Sequence, residues 1–134
     1  IISGPVVRFQ NPIGPSGKLK VPQVCWNRIF RKDEQGSGQG EHQSSAQDSW
    51  AGSLLEAIPE GEFMYFVHSF YVQPADPAVI LSTTRYGHIE FCSSLRYGNI
   101  FATQFHPERS GTQGLQIYRN IAFIVGRNKE PQNA

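Results

Sequence analysis

Two side chains able to do acid–base chemistry stand two residues apart, His106 and Glu108, within Gln104-Phe105-His106-Pro107-Glu108-Arg109-Ser110-Gly111. On an extended chain that spacing sends both side chains off one face. Pro107 between them bars a regular central strand and sets its own φ, so the pair belongs on a stiff turn. A histidine oriented by a carboxylate is the base half of a nucleophilic triad. The carboxylate selects the tautomer that leaves the other ring nitrogen free to take a proton. The nucleophile is harder to find. Cys25 and Cys92, the two cysteines, lie far apart in apolar surroundings and read as reduced, buried thiols of a cytosolic protein. Cys92 sits in a strand pattern without the flanking glycines and strand-to-helix turn that expose a nucleophile.

The elements that must hold the pair are mostly β. Val6-Val7-Arg8-Phe9 is strand-like, Asn11 through Gly17 is turn chemistry, and Val21 through Asn27 is extended and apolar. Residues 32–47 are polar and rich in Gly, Ser and Gln, which predicts a surface loop. Asp48 or Ser49 is placed to cap a short helix through Leu54, Leu55 and Ala57, ended by Pro59. The run Phe63-Met64-Tyr65-Phe66-Val67 predicts a strand covered on both faces. Val79 through Thr84 is a further strand, and Ile89 through Leu95 alternates like a strand with one wet face. Asn99 through Thr103 leads into the motif. After it, Leu115, Tyr118, Ala122 and Val125 recur at helical spacing and share a face, and Gly126 suits the stop. Antiparallel strands closing on one strand–turn–helix unit suit the second half of an α/β domain better than a complete doubly wound one.

Composition narrows the options. The chain has 134 residues, a size for one domain with a real core, and is 39% hydrophobic and 17% charged. A net charge of +1 gives no reason to expect a nucleic acid or an anionic membrane as partner. No apolar stretch approaches the roughly 20 residues of a membrane span. No signal peptide is visible, and a first residue of Ile rather than Met suggests that the gene begins further upstream. No cofactor or metal signature is present: Gly36-x-Gly38-x-Gly40 lies in a polar stretch rather than between strand and helix. A zinc deaminase also carries His-x-Glu, but it needs a downstream Pro-Cys-x-x-Cys, and no Cys follows Cys92.

Three segments are specific enough to carry a resemblance: Val21-Pro22-Gln23-Val24-Cys25-Trp26-Asn27, Tyr65-Phe66-Val67-His68-Ser69-Phe70-Tyr71, and Gly98 through Gly111. In that order they resemble the carboxyl-terminal half of a class I glutamine amidotransferase, in the branch of the glutaminase subunit of imidazole glycerol phosphate synthase. The resemblance spans most of residues 6–120. It implies an α/β fold with a mixed sheet, the substrate glutamine, and a Cys–His–Glu triad that releases ammonia to a partner synthase. His106 takes the position of the triad histidine and Glu108 that of the carboxylate. The family's Gly-x-Cys-x-Gly elbow has no counterpart here, and Cys25 stands where the family has Gly. Ile1-Ile2-Ser3-Gly4 resembles the stretch just past that elbow. The family relation thus implies a partial domain, inactive alone, served by a nucleophile on another segment, or else a non-catalytic docking module. The longer loop at 32–47, with Met64 through Ser69 and Glu90 through Ser94, is also similar to the variant that amidates a surface-polysaccharide sugar.

The same resemblance suggests roles for further residues. Trp26 and Asn27 are a core anchor or a contact face for the synthase, where Trp is a favoured anchor. His68 is a hydrogen-bonded core histidine, or a residue of the interface or active-site floor flanked by Ser69 and Tyr71. Arg109 is a plain surface charge or one side of an interface salt bridge. His42 and His88 read as solvated loop residues. Half of a domain leaves sheet edges and apolar surface open, so self-association is expected.

Overall fold

A computed structural model describes residues 2–32 and 49–128. Ten strands and one long helix follow in order: β1 Val6–Arg8, β2 Ile13–Gly14, β3 Gly17–Lys18, β4 Gln23–Arg28, β5 Phe30–Arg31, β6 Phe63–His68, β7 Phe70–Val72, β8 Ile80–Tyr86, β9 Ile89–Tyr97, β10 Ile100–Thr103 and α1 Gly111–Arg127. Strands β10-β9-β8-β5 form the largest sheet, and β1–β7, β2–β3 and β4–β6 form two-stranded ribbons. Every described pair is antiparallel. The order and the closing strand–turn–helix unit are those expected of the α/β half-domain. The polar stretch at 32–47 lies, but for Lys32, outside the described residues, as do His42 and Asp48. No described helix is long and apolar enough to cross a membrane.

The core is aromatic at its centre. The Phe9 ring packs 5.0–5.5 Å, centroid to centroid, from His68, Tyr71, Tyr86 and Phe91. Phe66 meets Phe91 and Phe105 edge-on. Trp50 is fully buried and its indole N–H donates to Leu81 O at 2.8 Å, which gives the stretch after the polar segment its anchor.

Several sequence expectations are corrected. Strand β6 is covered on one face only: Met64 and Phe66 are buried while Phe63 and Val67 are exposed. Strand β9 is the doubly covered one, with Phe91 through Leu95 consecutively buried. Ser93 and Ser94 are buried because their hydroxyls meet Ser82 Oγ at 2.9 and 2.5 Å, which removes the cost of hiding them. Residues 49–57 form consecutive turns rather than a helix. Gly52 and Ala57 take positive φ there (71° and 63°), which a right-handed helix forbids. In α1 the buried positions are Gly114 and Ile117, whereas Leu115, Tyr118 and Val125 of the expected stripe are exposed. His88 is exposed in the β8–β9 turn, in line with the expectation of a solvated loop residue, and its Nδ1 also accepts the Ile13 N–H at 3.0 Å, which pins the β2–β3 hairpin to that turn.

Helix α1 approaches the His106 turn so closely that only glycine fits at 114. A Cβ there would lie 1.9 Å from Pro107 O and 2.9 Å from its carbonyl carbon, both backbone atoms. Gly114→Ala is therefore expected to destabilise the fold by about 1–3 kcal/mol, as overpacking does, against less than about 0.5 kcal/mol for Ala at exposed Leu115. Urea denaturation of both variants measures the contrast.

Candidate functional site

Strand β10 ends at Thr103, and Pro107–Arg109 form one 3-10 turn before α1. His106 Nδ1 lies 2.8 Å from Glu108 Oε1. The ring is 44% and the carboxylate 51% exposed, so the pair faces outward rather than into the core. The Glu108 carboxyl is held below the usual range, first by its own backbone N–H, then by the His106 hydrogen bond and the charges of His106 and Arg109. An ionised carboxylate only accepts, so Nδ1 carries the hydrogen. In the neutral ring Nε2 then keeps its lone pair, and it makes no hydrogen bond among the described residues. The arrangement is that of a positioned general base.

The backbone beneath the ring is fixed from β6. The His106 N–H donates to Tyr65 O at 3.0 Å, and the Tyr65 N–H donates to Ser110 Oγ at 3.1 Å. Ser110 Oγ in turn donates to His106 O at 2.6 Å. Ser110 is 3% exposed. It stands at the N-cap position of α1, yet its side chain makes no cap hydrogen bond. The hydroxyl is diverted to join strand, turn and helix. Ser110 and Gly114 are the site-supporting residues that sequence reasoning passed over. A Ser just before a helix signals a cap, and nothing local signals a tie to a strand 45 residues away.

The other candidates are dispersed. Trp26 is 51% exposed on β4, its ring edge-on to Tyr65 at 5.8 Å. Asn27 is tied into the scaffold: its Nδ2 donates to Arg85 O at 2.7 Å and its Oδ1 accepts the Arg28 N–H. Arg109 is exposed beside Glu108, and Ser69 accepts the Phe9 N–H through its carbonyl. Tyr71 is buried against Phe9 and Phe91, so it belongs to the core rather than to a surface beside His68.

His68 is a buried, doubly hydrogen-bonded histidine, with Nδ1 2.9 Å from Phe70 O and Nε2 2.8 Å from Gln23 Oε1. Two acceptors would suit an imidazolium, but burial lowers its pKa, outweighing the Phe70 bond that raises it, and His106 lowers it further. The neutral ring needs a donor at Nε2. A half-turn of the Gln23 amide supplies its NH2 there and turns its oxygen toward Cys25, whose sulfur the amide approaches at 3.6 Å.

Neither thiol reaches His106. Cys25, half-buried rather than buried as expected, meets Gln23. Cys92 donates to Ser94 O at 3.2 Å, and burial pushes its thiol up to about 11 despite that bond. It stays protonated at neutral pH and is not a nucleophile. Among the described residues no group of His, Cys, Asp and Glu is arranged to hold a metal.

With this geometry in hand, comparison with known proteins is decisive. The family pattern described as "Glutamine amidotransferase class-I" matches residues 14–125. The chain belongs to the class I glutamine amidotransferase family. It is 39% identical over 121 residues to "Imidazole glycerol phosphate synthase subunit HisH" of Dehalococcoides mccartyi (strain ATCC BAA-2266 / KCTC 15142 / 195), covering 90% of this chain and 47% of that protein. It is likewise 39% identical over 122 residues to the protein of that name from Rhodopirellula baltica, covering 91% and 48%. The chain thus spans about half the length of these relatives. In fold it is similar to the crystal structure of a "putative gmp synthase" component from Thermoplasma acidophilum, with a TM-score of 0.63, 15% identity, and coverage of 98% of this chain and 53% of that one.

Two measurements probe the support of the site. Ser110→Ala removes both hydroxyl bonds and leaves the half-buried Tyr65 N–H unmet, while the His106 carbonyl keeps the Arg109 N–H, so a loss of about 1–3 kcal/mol is expected. Ser110→Thr keeps the hydroxyl and should recover most of it, and thermal denaturation of the two checks this. For His68 the folded pKa lies below the unfolded 6.5, so the unfolded chain takes the proton first. Stability is then whole above pH 6.5 and is lost as the pH falls from there through the lowered folded value. Melting temperatures should decline as the pH is lowered from about 7.5 to about 5.5, and His68→Asn should flatten that slope.

Proposed function

We propose that this chain is the His- and Glu-bearing portion of a glutaminase that hydrolyses glutamine and delivers the ammonia to a partner synthase. The observation that carries the proposal is the His106–Glu108 pair, 2.8 Å apart and open to solvent, inside the family-matched span. The chemistry requires a cysteine thiol from a stretch of polypeptide other than the two cysteines here. His106 Nε2 takes the thiol proton as sulfur attacks the side-chain amide carbon of glutamine. The same nitrogen then gives that proton to the amide nitrogen as the C–N bond breaks, so that it leaves as NH3 and a thioester remains, which water hydrolyses to glutamate. Glu108 holds the ring and offsets its positive charge during the transfer.

Similarity to the synthase proteins of D. mccartyi and R. baltica favours imidazole glycerol phosphate synthesis, in histidine biosynthesis, over amidation of a surface-polysaccharide sugar. The setting is then cytoplasmic, and the partner is the synthase that consumes the ammonia. Residues 1–134 act as one partial domain. The outward face carrying Val24, Trp26 and Val67, together with the exposed Arg109, is the contact surface for that partner or for a second copy. A second reading, a docking module without catalysis, is favoured by one observation: no described thiol meets His106.

Ammonia release from glutamine separates the two. The chain alone should release none. Mixed with a polypeptide carrying the nucleophile elbow of a relative and with the partner synthase, it should restore release, and His106→Asn or Glu108→Gln should lower the restored rate by about 10²–10⁴-fold. Continued silence of every mixture, with partner binding intact, would establish the docking module instead.

A further inference from the structure

A groove of about 870 Å³ lies apart from His106 and Glu108. Its apolar floor includes Phe9, Pro12 and Tyr86, and its rim carries Arg8, Lys18 and Lys20. No Asp or Glu lines it. The three cations are exposed, and none is in an ion pair among the described residues, where the pairs are Arg31–Glu60, Arg85–Glu90 and His106–Glu108. The sequence explains the imbalance: residues 1–32 hold Arg8, Lys18, Lys20, Arg28, Arg31 and Lys32 and not one carboxylate. A near-neutral chain thus places a one-signed field over this groove.

The groove is also built rather than incidental. The Tyr86 hydroxyl donates to Lys20 O at 2.6 Å, and Leu19 N–H donates to Pro12 O at 2.8 Å, so both walls are tied. At Gly87 a Cβ would lie 2.6 Å from Ile13 O, which keeps the β2–β3 wall close against the β8–β9 turn. The volume is that of a small-molecule site, with an apolar base and a few polar groups to orient the ligand.

We propose that this groove binds a small organic phosphate, its ring or apolar body on the Phe9–Pro12–Tyr86 floor and its phosphate among Arg8, Lys18 and Lys20. Three cations exceed what one carboxylate needs, and a guanidinium fork with two ammonium point charges matches a dianionic phosphate. The site goes beyond the glutaminase chemistry and is tested without it.

Titration of the isotope-labelled chain with AMP, followed by amide chemical shifts, reads the site directly. AMP should shift residues of the groove and bind at least about tenfold more tightly than uncharged adenosine, and its affinity should fall between about 50 and about 500 mM salt. Arg8→Gln/Lys18→Gln/Lys20→Gln should weaken AMP at least about tenfold, and the charge-conserving Arg8→Lys/Lys18→Arg/Lys20→Arg, which keeps the surface and fold, should retain it. Equal binding of AMP and adenosine, shifts away from the groove, or loss in the charge-conserving variant despite native shifts would overturn the assignment. So would capture of polyglutamate but not AMP, which would mark the groove as a contact for an acidic protein surface.

Discussion

One nearly water-free hydroxyl holds the His106 turn to the rest of the structure. Ser110 Oγ accepts from the Tyr65 amide and donates to the His106 carbonyl, and the His106 amide returns to the Tyr65 carbonyl. Turn, strand and helix are closed into one ring of hydrogen bonds. The exposed His106–Glu108 contact is held by no burial of its own. An exposed ion pair contributes little to stability, so the orientation of the imidazole has to come from the backbone beneath it. The glycine contact at 114 completes the support, because it lets α1 sit directly on Pro107.

The His106–Glu108 pair was legible in the sequence because its signal is local. Two residues and a proline between them determine a turn, a shared face and a hydrogen bond, and the structure has all three. Strand existence was legible for the same reason, since β4, β6, β8, β9 and β10 each announce themselves by apolar runs and bounding turns. Which faces are covered was not. Strand β6 reads as continuously apolar yet has one open face, and β9 reads as half wet yet is buried through Phe91–Leu95, where both of its buried serines meet the Ser82 hydroxyl of β8. Burial of a polar residue is decided by a partner distant in sequence, and periodicity carries no record of that partner.

The helix illustrates the limit from the other side. Spacing placed Leu115, Tyr118, Ala122 and Val125 on one face, and they do share it, but the packed line runs through Gly114 and Ile117. A hydrophobicity pattern ranks large apolar residues first, whereas contact here was won by the residue with no side chain. The absent Cβ sets the distance of closest approach, and the apolar stripe remains available on the outside.

Tyr65 occupies a peculiar position in this arrangement. Its amide and carbonyl both belong to the ring that holds His106, and its own aromatic side chain leans on Trp26 at the outer surface. Whatever presses upon that indole is therefore only a single peptide unit away from the imidazole. Tyr65 is thus the one residue standing between the outer indole and the backbone that carries the imidazole, so both are borne on the same short length of strand.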